Sequence, residues 1–183
     1  MSKKYLVIAL SAIAFVGCVL TFGGHARNLR ARNSGPTGVP EFVPYMFLFN
    51  HHEFNLQKAA ELDRQSKNGA GYRSMEKRLA GLTDQEAVVL DQVTADCERE
   101  LEKQDERARE VINAFRARFP PGRLPEGVLL PPPPAELTQM QEERNAIILR
   151  ARDRLHEAFG DESFKRLDSF VKSQVASDVQ LAP

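Results

Sequence analysis

Apolar residues recur at alternating spacings of three and four along the middle of the chain, a pattern typical of one helix face. Thr83 and Glu86 form a capping-box pattern at its start. From there to Phe119 the chain has no Gly or Pro, so we predict one helix of about 36 residues, roughly 54 Å long. Few apolar residues lie between Glu98 and Arg109, so we expect the middle of the helix to be largely solvated. The seam comprises Leu90, Val93, Cys97, Leu101, Gln104, Ala108, Val111, Phe115 and Phe119.

Other segments of the chain also have helical periodicity. The predicted helices cover residues 44–66, 72–79, 134–159 and 162–176. Pro44 and Pro134 suit first helical positions, since a first-turn residue needs no backbone N–H partner. Gly160 is predicted as a left-handed cap, with Asp161 capping the last helix. The first helix has its stripe at Tyr45, Phe49, His52, Leu56 and Ala59.

The chain shows no strand-like alternation, which predicts an all-α fold. We expect a helical bundle or hairpin over residues 44–177, with two long antiparallel helices and a short C-terminal helix, followed by a tail at 178–183. Residues 27–43 are rich in Gly, Pro and polar side chains and are predicted to be a flexible tether. The Pro-rich segment 120–134 is interpreted as a stiff connector; the alternative is a polyproline ligand for an aromatic-lined groove.

The N-terminus resembles an export signal, because residues 5–24 carry no charge and follow two lysines. Gly24 and Ala26 are small residues at the third and first positions before a cleavage site after Ala26, which favours a cleaved signal at residues 1–26. The alternatives are an uncleaved membrane anchor, since about 20 apolar residues can span a bilayer, and a lipoprotein with Cys18 as the lipidated residue. The predicted location is the periplasm or cell envelope, or a single-pass membrane anchor.

Charge and cysteine content exclude several classes of protein. The chain has 25 Lys and Arg against 25 Asp and Glu, so no basic excess favours nucleic acid as a partner. Of its 2 cysteines, Cys97 stands alone if Cys18 is removed with the signal. We interpret Cys97 as a small buried hydrophobe rather than a reactive thiol.

The chain contains no phosphate-binding loop, nucleophile elbow, zinc-protease pair or C-x-x-C motif. The one histidine cluster is His51-His52, whose side chains diverge by about 100° on a helix, so a shared metal needs ligands from elsewhere. Asp153 with His156 is a second weak candidate. We expect no carboxylate in an apolar setting that would raise its pKa. The sequence therefore predicts no enzyme activity and no cofactor.

The start of the long helix resembles the Leu-Thr-x-x-Gln motif of the Spy and CpxP group of periplasmic proteins. The residues that carry the resemblance are Leu82, Thr83 and Gln85; Gln85 lies one position before the motif's Gln, where this chain has Glu86. The order of signal, long helix, Pro-containing turn, second long helix and short terminal helix is also similar. The resemblance implies an ATP-independent chaperone or stress adaptor that forms cradle-shaped dimers, with metal sensors among its relatives.

Two classes of function follow from these patterns. The first is an exported helical protein that acts by protein–protein interaction, as a chaperone or stress adaptor. Such a protein can form a homodimer, and it contacts the membrane through residues 5–24 if they are retained. The second is a metal-sensing or metal-binding helical domain that uses His51 and His52.

Overall fold

The computed structural model describes residues 39–119 and 131–178, with side chains as far as residue 174. The described residues confirm the predicted all-α fold and its two long helices. Their helices are α1 (Phe42–Arg64), α2 (Ala70–Arg73), α3 (Met75–Ala80), α4 (Asp84–Arg116) and α5 (Ala135–Asp178).

Several predicted features lie outside the described residues. They are the signal or anchor at residues 1–26 with Cys18, the tether as far as residue 38, residues 120–130 of the connector, and the tail after residue 178. Across the helices that the structure describes, no stretch is both long and apolar enough to span a bilayer.

The capping box at the start of α4 is confirmed. Glu86 N–H donates to Thr83 Oγ1 at 3.2 Å, and Thr83 N–H donates to Glu86 Oε2 at 2.7 Å. Both bonds satisfy backbone donors that lack an intrahelical partner at a helix start. Thr83 therefore fixes where the long helix begins.

Four cross-helix ion pairs join α4 to the first part of α5. As the residue number rises along α4, the partner's number falls along α5, so the two helices are antiparallel. Exposed pairs contribute little stability each, but together they specify one register for the hairpin. The pairs are Asp96–Arg154 (2.7 Å), Glu100–Arg150 (2.9 Å), Asp105–Arg144 (3.2 Å) and Arg107–Glu143 (3.4 Å).

The chain bends sharply at Gly160, within α5. Gly160 has φ 70° and ψ 170°, so its positive φ is confirmed but its backbone is not left-handed helical. The rings of His156 and Phe164 stack with centroids 4.3 Å apart, whereas eight residues of straight helix span about 12 Å. Residues 161–178 are therefore a helical segment of their own beyond the kink, as predicted for the last helix. Asp161 makes no cap bond in the structure; its carboxylate lies 2.8 Å from His156 Nε2.

The core lies where α1 meets both parts of α5 and the first half of α4. Tyr45, fully buried, donates its hydroxyl to Asp168 Oδ1 at 2.7 Å and stacks on Phe164. Burial, followed by the bond to Asp168, raises the pKa of Tyr45, so the phenol stays a neutral donor. Other core residues include Phe49, Leu90, Leu101, Ile147, Ile148, Leu155, Leu167 and Val171.

The first helix differs in detail from its prediction. It begins at Phe42 rather than Pro44; Pro44 then occupies the third helical position, where a missing N–H still costs no intrahelical bond. On its stripe, Leu56 is only partly buried, and Asn55 is buried beside it. Where the sequence predicts one short helix, the structure has two, α2 and α3, which are separated at Ser74.

Gly69→Ala is expected to destabilise the fold by about 1–3 kcal/mol, because an added Cβ would lie 2.5 Å from the backbone oxygen of Ala59. Gly71→Ala is the matched control, since its Cβ would meet nothing within 4 Å, and helix propensity favours Ala by up to about 1 kcal/mol. Urea unfolding of both variants measures the difference. Equal stability of the two would contradict the close approach of the turn to α1.

Candidate functional site

A buried histidine joins three helices. The His52 side chain is 3% exposed, and its Nδ1 lies 3.0 Å from Glu76 Oε2 of α3 while its Nε2 lies 2.7 Å from Asp91 Oδ1 of α4. A neutral imidazole has only one N–H, so donation to both carboxylates requires the charged imidazolium. Burial lowers the pKa of His52, but the bonds and charges of Glu76 and then Asp91 outweigh it and raise that pKa above its ordinary value.

Glu76 is the buried carboxylate of this cluster. Its Oε1 accepts from Asn55 Nδ2 at 2.6 Å and lies 3.0 Å from His51 Nδ1. Burial alone would raise the pKa of Glu76, but the bond to His52, supported by Asn55, lowers it overall. Both oxygens thus have partners, as a buried charge requires.

The structure brings His51 and His52 to one carboxylate rather than to a metal arrangement. Within residues 39–119 and 131–178, no group of three or more His, Cys, Asp or Glu side chains is placed to hold a metal ion. The other candidate residues have partners of their own: Asp153 contacts Arg152, and His156 contacts Asp161 within α5. His51 and His52 act as hydrogen-bonding groups between helices.

Glu98 corrects the expectation that no carboxylate has an apolar setting. Its Oε1 is buried without a hydrogen-bond partner, and so is the hydroxyl of Thr94 one turn earlier. Burial, followed by the nearby charge of Glu53, raises the pKa of Glu98 to about 7. The middle of α4 is otherwise solvated on most sides, as predicted: between Glu98 and Arg109 only Leu101 and Gln104 are buried, at 3% and 1% exposure.

Glu98→Gln is expected to raise the free energy of unfolding by about 1–3 kcal/mol above pH 8, because the buried charge disappears. The natural Glu98 favours folding as a neutral acid; that contribution is present below its ordinary pKa and is lost as pH rises to about 7. Urea unfolding at pH 5 and pH 8.5 measures the change. Glu106→Gln, at an exposed position two turns later, should show no such gain; an equal gain would refute the assignment.

The prediction for Cys97 is confirmed. It is free and 2% exposed. Burial raises the pKa of its thiol to about 12, so it is protonated at neutral pH and behaves as a small core side chain.

Beyond Gln104, the α4–α5 hairpin continues as a loosely packed extension, which we call the arm: residues 105–119 and 131–144. Gln104 is the last buried residue of the predicted seam, and its Nε2 donates to the Met140 carbonyl at 2.9 Å. None of the arm's residues is buried. Its partly exposed apolar side chains are Val111, Ile112, Phe115, Phe119, Leu137 and Met140.

The arm has an amphipathic surface. Phe115 and Phe119 pack edge to face at 5.2 Å, and exposed charges of both signs lie among the apolar positions. These charges are Glu106, Arg107, Arg109, Glu110, Arg116, Arg118, Glu136 and Glu142. Two open depressions lie along the α4–α5 seam, where Val89, Val93 and Ala158 contribute to the first and Cys97, Ile147 and Ala151 to the second. The arm therefore offers partly exposed apolar side chains beside charges of both signs.

The residues that carry the Leu-Thr-x-x-Gln resemblance lie at the start of α4. Leu82 is buried at 5% exposure, Thr83 caps α4, and Gln85 is exposed in its first turn. None of them contacts the His52 cluster through a side-chain hydrogen bond among the described residues. Comparison with protein-family models, curated proteins and solved structures finds no match to this chain.

Proposed function

We propose that this chain is an exported helical interaction protein of the cell envelope, chaperone-like or a stress adaptor, which binds apolar segments of other proteins along the arm. The observation that carries the proposal is the change in packing along the hairpin. The seam of α4 is buried from Leu90 to Gln104, whereas every residue of the arm is at least partly exposed.

A partner that covers the arm would bury apolar surface that the chain itself leaves in contact with water. Burial of such surface is favourable by about 25 cal/mol per Å², and the arm carries six partly exposed apolar side chains that a bound segment can cover. An extended surface of this kind suits apolar segments of varied sequence.

The metal-sensing alternative has no observation in its favour. His51 and His52 both contact Glu76, and the described residues hold no group placed to bind a metal. Titration of the chain with Zn²⁺ or Ni²⁺ by calorimetry tests this alternative; saturable heat that His51→Ala abolishes would revive it.

A client aggregation assay tests the proposed function. We expect the chain at a few-fold molar excess to suppress the light scattering of reduced α-lactalbumin, and V111S/F115S to lose at least half of that effect. Phe54→Ser is the matched control, because Phe54 is 58% exposed on α1, outside the arm. No suppression by the natural chain, or equal suppression by V111S/F115S, would overturn the proposal.

A further inference from the structure

Glu98 lies near the root of the arm, between α1, α4 and α5. The charged groups that act on it are Glu53 from α1, Glu102 and Asp105 from α4, and Arg144 from α5. Three are carboxylates and one is a cation, so ionised Glu98 has one attractive neighbour. Its buried Oε1 has no hydrogen-bond donor.

Arg144 is already engaged elsewhere. Its Nε donates to Asp105 Oδ1 at 3.2 Å, its Nη1 lies 3.6 Å from Met46 Sδ, and its side chain is 18% exposed. The Asp105–Arg144 bond crosses from α4 to α5 where the arm begins. No ion pair joins Arg144 to Glu98 among the described residues, so the arrangement is the one that suits a neutral Glu98.

We propose that Glu98 is a proton-operated switch for the arm: neutral Glu98 leaves Arg144 on Asp105, and ionised Glu98 draws Arg144 away and loosens the arm. Ionised Glu98 needs a counter-charge more than Asp105 does, because its Oε1 is buried without a partner, whereas the Asp105 side chain is 48% exposed and water can solvate it. Once the Asp105–Arg144 pair is lost, the two helices of the arm are joined by the more exposed Arg107–Glu143 pair and by no buried residue of the arm.

The effect of the switch on client binding rests on the proposed function. The loosened arm would expose more of its apolar side chains, so client binding would strengthen as pH rises through neutrality. The structural step itself needs no client, and it can be measured on the chain alone.

Amide hydrogen exchange of the full chain at pH 6 and pH 8.5, corrected for intrinsic exchange rates, tests the switch. We expect protection of residues 105–116 and 135–144 to fall at least threefold at the higher pH, relative to residues 147–155 of the core. Glu98→Gln should keep the arm protected at both pH values. Glu106→Gln, at an exposed position on α4 that is not among these charged neighbours of Glu98, is the control and should behave as the natural chain.

A carbon NMR titration of the Glu98 carboxyl gives a second, independent readout. A midpoint near neutrality, together with an arm that loosens over the same pH range, supports the switch. An ordinary acidic midpoint, a pH-independent arm in the natural chain, or an equal loss of protection in Glu98→Gln would overturn it. Failure of the client assay alone would leave these results unchanged, so it would refute the proposed function and not the switch.

Discussion

Leu155→Ala is expected to lower the free energy of unfolding by about 3–5 kcal/mol, while Leu137→Ala lowers it by less than about 1 kcal/mol. Both leucines lie on α5, but Leu155 is fully buried and Leu137 lies in the arm, partly exposed. Truncation of a buried leucine removes its transfer free energy and leaves a cavity, and neither cost applies fully at an exposed position.

Urea unfolding followed by circular dichroism measures both values with the same side-chain change on the same helix. The contrast matters for function, because surface that contributes little to folding is free to contact a partner. If Leu137→Ala cost as much as Leu155→Ala, the arm would be part of the core and the proposed contact surface would not exist.

His52→Ala is expected to destabilise the chain by about 3–5 kcal/mol. It would leave the carboxylate of Glu76, which is 3% exposed, without its main counter-charge, and an uncompensated buried charge is strongly destabilising. It would also remove the link from α1 to Asp91 on α4.

His51→Ala is the matched control for this prediction, since His51 contacts the same carboxylate but its side chain is 57% exposed. An exposed contact of this kind is worth about 0–1 kcal/mol. The same unfolding measurement at pH 6 compares the two variants. A small effect of His52→Ala, similar to that of His51→Ala, would show that the three-helix junction does not depend on the imidazolium.

Local sequence patterns predicted the two long helices. The capping box at Thr83 and Glu86 fixed the start of α4, because its hydrogen bonds join residues three apart. Gly160 marked the kink within α5, since glycine adopts that positive φ without strain. The antiparallel hairpin followed from two long periodic segments joined by a Pro-rich connection.

The buried polar residues were not predictable from the same patterns. Glu76 and Asp91 meet His52 from two other helices, and no periodicity within one helix specifies such a meeting. Glu98 carried a partial signal: with Asp91 and Thr94 it forms a second line at helical spacing beside the apolar seam. That line faces α1, and its burial depends on how α1 packs.

The sparse apolar content between Glu98 and Arg109 correctly predicted a stretch of α4 that is solvated on most sides, since only Leu101 and Gln104 are buried there. The loose packing of the later seam was not predictable in the same way, because the spacing of three and four continues unchanged to Phe119. The seam residues that remain partly exposed are Ala108, Val111, Phe115 and Phe119. Periodicity within one helix therefore did not show where the partner helix stops covering the seam.

Site-specific photo-crosslinking to a client tests directly whether clients bind along the arm. A photoreactive residue is placed at position 115 in the arm, at 47 on exposed α1 surface, or at 88 in the second turn of α4, where Phe47 and Val88 are 44% and 64% exposed. We expect reduced α-lactalbumin to crosslink at position 115, and only at background level at positions 47 and 88. Crosslinking mainly at 47 or 88, or equally at all three, would contradict it.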